Sequence, residues 1–306
     1  MMLSRVAWRI YWMARYIERA ENTARLVNTY HFLLLDLPRG TPVGWETLPV
    51  IAGGHDLFVD HYQRHDERNT VKFLLADRFN PCSLSNSIAY ARENCRTSRE
   101  VLPEQVWEQI NELHNYLKNK IGEALPRRGR FDVLTEIIQR CQQLTGLMAG
   151  TMSQDSAYDF LRIGRNLERA DMTSRVIDIG AMHLHRAGDA ETVDVHVWTS
   201  MLRALDAYQM YRKDVQLAVS WRAAVVYLLQ NDTLPRAIAH CLDRVEEGLG
   251  CLPEPQRGLM AVRKVRRQLN NINVAGLNEE KLHEEVDSLQ VGLSGINTAI
   301  SKSWFG

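Results

Sequence analysis

Glycine-rich phosphate loops, paired cysteines, long apolar runs and a surplus of either charge are all missing from this chain of 306 residues. Each absence removes a class of function. Its 37 basic residues balance 37 acidic ones and the pI is near 7.2, so wholesale binding to nucleic acid or an anionic membrane is not expected. The five cysteines are odd in number, widely spaced and never in C-x-x-C, which gives no disulfide framework and points to a reducing compartment. A charge interrupts the N-terminal MMLSRVAWRIYWMARYIERAE every few residues, unlike a signal peptide. No stretch approaches the ~20 apolar residues of a membrane span. The expected location is the cytoplasm. Without a Gly-rich loop, zinc motif, G-x-S-x-G or Cys/His catalytic pair, no cofactor and no metal are predicted in this chain.

What is present is helical, and some of it occurs twice. Residues 3–37 contain neither Gly nor Pro. Val6, Ile10, Met13, Ile17, Ala20, Ala24, Val27, His31 and Leu35 recur at spacings of three and four, the period of a helix. Ser4 is the expected N-cap, and Pro38-Arg39-Gly40 the stop. YIERAENTARLVN (16–28) returns as NLERADMTSRVID (166–178), with Arg15/Arg165, Glu18/Glu168, Arg19/Arg169, Thr23/Thr173 and Arg25/Arg175 identical without a gap. Ser153 is the expected cap of this second helix, whose stripe runs through Phe160, Ile163, Leu167, Ala170, Ser174 and Ile177. Trp45 pairs with Trp198, and FLLADRFNP (73–81) with YLLQNDTLP (227–235), at nearly the same offset. Each of these segments ends in a Pro suited to the first turn of a following helix. The reading is an all-α, internally duplicated helical bundle of two pseudo-symmetric halves, 1–151 and 152–306, packed as one globular unit.

Further helices are expected from Pro103 to about Leu125 and over 132–149, separated by PRRGR. A last one starts at Asn278, its stripe of Leu282, Val286, Leu289, Leu293, Ile296 and Ile300 at coiled-coil spacing along one neighbour. Residues 38–56, rich in Gly and Pro, read as irregular.

Turned at 100° per residue, Glu18, Asn22 and Arg25 fall within an arc of about 80° beside Arg15. Apolar residues lie above and below this patch on the same arc, so the charges are expected to be enclosed. Enclosed charges must be paired. Glu21–Arg25 and Asp171–Arg175 have the favourable acid-first i,i+4 order, while Arg15–Glu18 and Arg165–Glu168 are i,i+3 neighbours. Three readings stand open. One is a structural ion-pair lattice joining the halves. Another is a polar cleft lined by Glu18, Arg19, Glu168 and Arg169, in which arginines hold a carboxylate or phosphate and the glutamates bind an amine or move a proton. A third is a metal site at Glu18/Glu21 and Glu168/Asp171, disfavoured by the missing Glu-x-x-His pair and the neighbouring arginines.

Elsewhere, His61 and His65 have i,i+4 spacing without a third ligand. RKVRR (263–267) on a helix and PRRGR (126–130) in a turn read as solvated charge. Ser83 and Ser85 read as caps. The aromatic residues Trp8, Tyr11, Trp12 and Tyr16 read as core.

The opening MLSRVAWRIYWMARYIERAENTARLV, together with NPCSLSNSIAYARENCRTSRE, LERADMTSRVID and the Pro235 segment, resembles the alpha-E domain family, bacterial all-helical proteins with a Glu-Arg motif. Pro81-Cys82-Ser83 and Pro235-Arg236-Ala237 stand where the family pattern has Pro-Arg-Ser. The resemblance implies association with a circularly permuted ATP-grasp carboxylate–amine ligase, often near transglutaminase-like peptidases. By that implication the chain is the helical partner or substrate-binding subunit in ATP-dependent peptide synthesis or modification, and ATP is bound by the partner ligase. Its substrate would be a peptide or amino acid. The motif carries over to Glu18, Arg19, Glu168 and Arg169, and the candidate binding set is Arg15, Glu18, Arg19, Arg25, Arg165, Glu168, Arg169 and Arg175. Glu18 and Glu168 are the catalytic candidates if the chain is instead an enzyme in its own right.

Overall fold

A computed structural model describes residues 3–36, 44–187 and 191–305, with side chains between 182 and 193 left aside. Among the described residues every regular element is helical. In chain order these are α1 (Ser4–Asp36), α2 (Thr47–Ile51), α3 (His55–His61), α4 (Glu67–Leu75), α5 (Leu84–Arg96), α6 (Glu104–Ala124) and α7 (Arg127–Thr151). They continue as α8 (Ser156–Ala187), α9 (Glu191–Ala204), α10 (Tyr208–Val215), α11 (Trp221–Gln230), α12 (Ile238–Gly250), α13 (Gln256–Asn271) and α14 (Glu279–Ile300). None is long and apolar enough to cross a membrane.

The two longest helices, α1 and α8, pack along each other at the centre. Against α1 lie α5 and α7, closed over by α6; against α8 lie α12 and α14, closed over by α13. The apolar stripes explain this placement. Val6, Ile10, Met13, Ile17, Ala20, Ala24 and Val27 are all buried, as are Phe160, Ile163, Leu167, Ala170 and Ile177. The first stripe runs out of core at its end, where Leu35 is exposed and His31 half-buried. Gly164 lets the two backbones approach, since a Cβ there would lie 2.4 Å from the carbonyl oxygen of Tyr11. The repeated tryptophans each pack on a long helix. Trp45 meets Tyr30 of α1 edge-on at 5.8 Å, and Trp198 fills the space above Gly180 of α8.

Several local expectations need correction. Ser4 is the first helical residue and not the cap of α1, whose entry is a turn in which the Leu3 carbonyl accepts from Val6 and Ala7. Asp155, rather than Ser153, caps α8, its Oδ1 accepting from the Ala157 amide at 2.9 Å. A carboxylate at that end also favours the helix dipole. The 38–56 segment holds α2 and the start of α3, while Pro38-Arg39-Gly40 lies outside the described residues. PRRGR is not a turn, because Arg127–Arg130 form the first turn of α7. Pro81 and Pro235 stand before the capping residues Ser83 and Ala237, so neither enters the helix that follows. Asn278 does cap α14, accepting from the Lys281 amide at 3.0 Å. The stripe of that helix is wholly buried, but in the groove between α8 and α13 rather than along one partner.

Two glycine substitutions test this packing in opposite directions. Gly164→Val should destabilise by about 1–3 kcal/mol or more, because a backbone carbonyl cannot give way. Gly146→Ala, exposed within α7 with nothing within 4 Å of a Cβ, should stabilise by about 0.5–1 kcal/mol. Denaturant titration of the two variants checks both signs.

Candidate functional site

The polar arcs of α1 and α8 face each other across the centre of the molecule, and each supplies the other's counter-ions. Glu168 Oε2 accepts from Arg15 Nε at 2.7 Å and its Oε1 from Arg19 Nε at 2.6 Å. Reciprocally, Glu18 Oε1 lies 2.9 Å from Arg169 Nε. The Glu-Arg pair of one helix therefore crosses to the Glu-Arg pair of the other, in place of the i,i+3 pairs Arg15–Glu18 and Arg165–Glu168. Crossing is favoured because side chains on facing helices can meet end to end within the seam, away from water. The i,i+4 pairs do form, Arg25 to Glu21 at 2.9 Å and Arg175 to Asp171 at 2.9 Å.

A further cation completes the cluster. Arg236, just before α12, donates to Glu18 Oε1 at 2.8 Å, Asn22 Oδ1 at 2.6 Å and Glu21 Oε1 at 2.7 Å. On the other side Arg15 donates to Asn297 Oδ1 at 2.8 Å, which also accepts from the Tyr11 hydroxyl at 2.7 Å. The Arg15 guanidinium lies 4.8 Å from the Trp12 ring centroid. The aromatic group is thus only partly core: Tyr11 is buried, Trp12 and Tyr16 are half-buried, and Trp8 is exposed.

Glu18 and Glu168 are 1% and 3% exposed, so their charge survives only through these partners. Burial acts to raise Glu168, yet the charges of Arg19 and Arg15 with their hydrogen bonds bring it from 4.5 down to about 2. Burial likewise opposes ionisation of Glu18, and Arg169 and Arg236 hold it below the usual carboxylate range. Arg15, Arg19 and Arg169 are buried against their charge but raised by the same contacts. Both glutamates are fixed as carboxylates with no proton to exchange near neutrality.

The arginines outnumber the acids. Arg15, Arg19, Arg25, Arg165, Arg169, Arg175 and Arg236 face Glu18, Glu21, Glu168 and Asp171, seven against four, an excess of three; Asp206, 63% exposed and 3.4 Å from Arg25, lowers it to two. Arg165 carries the surplus most plainly. Its Nε has no acceptor among the described residues, and burial and then Arg169 hold it below the usual arginine range. Arg169 Nε is an ion partner of Glu18 by distance but makes no hydrogen bond by angle. At this edge the lattice opens into a cleft of about 460 Å³ that Arg169, Arg236, Glu21 and Asp206 line together with Gln142, Thr145, Leu205, Met210, Leu234 and Pro235.

The sequence-based set is thus brought together around two carboxylates. Arg25 and Arg175 pair chiefly within their own helices, and Arg165 stands without an acceptor. Sequence reasoning missed Arg236 and Asn297. Two signals pointed to Arg236: it matches the arginine of the Pro-Arg-Ser pattern, and it is set among Leu234, Pro235, Ala237 and Ile238, apolar company that a solvated cation does not keep. Cys82, which follows Pro81 as Arg236 follows Pro235, lies 3.6 Å from Arg19 Nη1. Ser83 caps α5, but Ser85 donates to the Leu75 carbonyl. His61 and His65 do not share a helix, because α3 ends at His61. RKVRR lies on α13, with Arg263 paired to Glu246 and Arg266 to Asp243.

Fold and site together define an all-helical protein with a Glu-Arg motif at its central seam. A family model described as an alpha-helical domain with a conserved ER motif matches residues 2–305, and the chain belongs to this Alpha-E family. Similar curated proteins are an uncharacterized protein of Mycobacterium bovis and two of Mycobacterium tuberculosis, each 23% identical over 320 residues. The matches cover 98% of this chain but 35% of each relative, so the chain spans about a third of their length. No solved structure matches the chain.

Because Glu168 is lowered on folding, its contribution to stability is full above its ordinary value of 4.5 and is lost as pH falls toward about 2. Melting temperature should drop steeply through that interval. Glu168→Gln should cost roughly 3–5 kcal/mol at pH 7, since Arg15 and Arg19 are left buried without an anion, and it should flatten the acid limb. Denaturant titrations at pH 7 and pH 3 measure both effects.

Proposed function

We propose that this protein is the helical, substrate-binding partner of an ATP-grasp-type carboxylate–amine ligase, and that the cleft beside Arg169 and Arg236 receives the peptide or amino-acid substrate. The observation that carries this reading is the seam with more arginines than acids, open at one edge to a cleft of about 460 Å³. That volume lies within the usual range of small-molecule sites. Fixed guanidinium forks are suited to carboxylates. The curated relatives hold the matched region within chains nearly three times as long, which supports a domain that works beside other segments. In this reading ATP is bound by the ligase and the present chain presents the acid. We also read the chain as a tandem duplication, which accounts for the reciprocal Glu18–Arg169 and Glu168–Arg19 pairs.

A structural role for the motif itself has its own observation. Glu18 and Glu168 are each held by two arginines and are buried, so they serve to fix the arginines rather than to shuttle protons.

Affinity purification of the tagged chain from its native host should recover an ATP-grasp-type ligase in near-equal amount. Adding the chain should raise that ligase's ATP turnover in the presence of a peptide substrate. Recovery of the chain alone, with ligase turnover indifferent to it, would sink the partnership.

A further inference from the structure

The surplus charge at the seam has a definite address. Arg165 and Arg169 stand one turn apart on α8 and both act on Glu18. Arg236 engages both Glu18 and Glu21, and Arg25 holds Glu21 as well, so on this side two carboxylates face four arginines. The leftover charge is inside the protein, where isolated cations are costly. A partner anion is the usual remedy. The walls of the adjoining cleft narrow its identity, because Leu205, Met210, Leu234 and Pro235 give it an apolar side opposite the arginine edge. A bare phosphate would leave that side wet, whereas an organic acid with an apolar body would cover it.

Asp206 is the second clue. It stands between α9 and α10 with φ +55°, a left-handed conformation that L residues adopt at a cost, Asn and Asp least reluctantly. Its side chain is 63% exposed, yet its Oδ2 points back to Arg25 at 3.4 Å, too long for a strong charge-assisted contact. It is a loosely held carboxylate in a cleft whose other charged walls are Arg169, Arg236 and Glu21.

We propose that the cleft is a carboxylate-binding site for an amino acid or peptide with an apolar side chain. Arg169 and Arg236 supply its cations beside Glu21, Arg165 reinforces that charge from one turn away, and Asp206, held to Arg25 at the rim, is an acid that competes with the ligand for the positive potential there. This deepens the reading of the cleft given above but is independent of any ligase, so it stands or falls on the isolated chain.

Calorimetric titration with N-acetyl-L-leucine, its uncharged amide and inorganic phosphate tests it. The wild type should bind N-acetyl-L-leucine and ignore the amide. Asp206→Asn should bind several-fold more tightly, because the competing carboxylate is gone. Arg165→Gln, which loses no hydrogen-bond partner among the described residues, should melt at or above the wild-type temperature while binding several-fold more weakly, because a nearby cation in a partly dry site is lost. A merely structural Arg165 would leave that affinity unchanged, which would overturn the assignment. So would equal response to acid and amide, no binding at tens of millimolar, or an Asp206→Asn variant no tighter than wild type. Phosphate binding with the same dependence on Arg165 would overturn the carboxylate specificity.

Discussion

The exchange of counter-ions between α1 and α8 is the constraint around which the remaining helices are arranged. Two glutamates cannot be taken out of water unless arginines accompany them, and an arginine enters a seam at a cost when its donors are left unused. Reciprocal pairing meets both demands, and it does so only when the long helices lie alongside each other in one register. Gly164 permits the approach by leaving room for the Tyr11 carbonyl. The flanking helices then exclude water from the seam, which makes each pairing stronger than it would be at a surface.

The seam is not closed evenly. On the Glu168 side the arginines are backed by Tyr11, Trp12 and Asn297, which bring the last helix into the cluster. On the Glu18 side Arg236 enters from the start of α12, and Arg165 is left with an unused Nε. Position 82, which follows Pro81 as Arg236 follows Pro235, holds a cysteine. Two similar stretches of sequence therefore sit in unlike environments, one whose arginines are hydrogen-bonded to Glu168 and one that leaves the Nε of Arg165 without an acceptor among the described residues.

Much of this was legible in the sequence, for reasons that differ by element. The stripes of α1, α8 and α14 follow directly from the period of a helix, and their burial bears this out except at His31 and Leu35, where α1 runs beyond the core. The enclosure of the patch was legible because apolar residues flank it on its own arc. Which acid meets which arginine was not, since spacing along one helix favours Arg15–Glu18 while the facing helix offers Glu168 a shorter reach. Arg236 escaped notice because its role depends on where the chain before α12 returns, a matter of tertiary path. The cap failed at Ser153 because Asp155, directly before the first helical residue, accepts from the Ala157 and Tyr158 amides, and an acid also answers the helix dipole; Ser4 is itself helical. The membership in an all-helical Glu-Arg family rested on residues quoted from both copies, and the family match over nearly the whole chain agrees with it.

The lattice also imposes an order on synthesis. Glu18 leaves the ribosome 218 residues ahead of Arg236, which binds it. At roughly 5–20 residues per second the nascent chain carries that carboxylate without its arginine for tens of seconds at the slower end. During this interval α1 has no seam to enter, and its apolar stripe must be covered by α5 and α7 alone. Completion of the core is thereby tied to the arrival of α8 and α12, a long-range closure of the kind that slows folding. A chain interrupted before α8 would be left with Glu18 facing no cation from that helix, and so electrostatically unfinished.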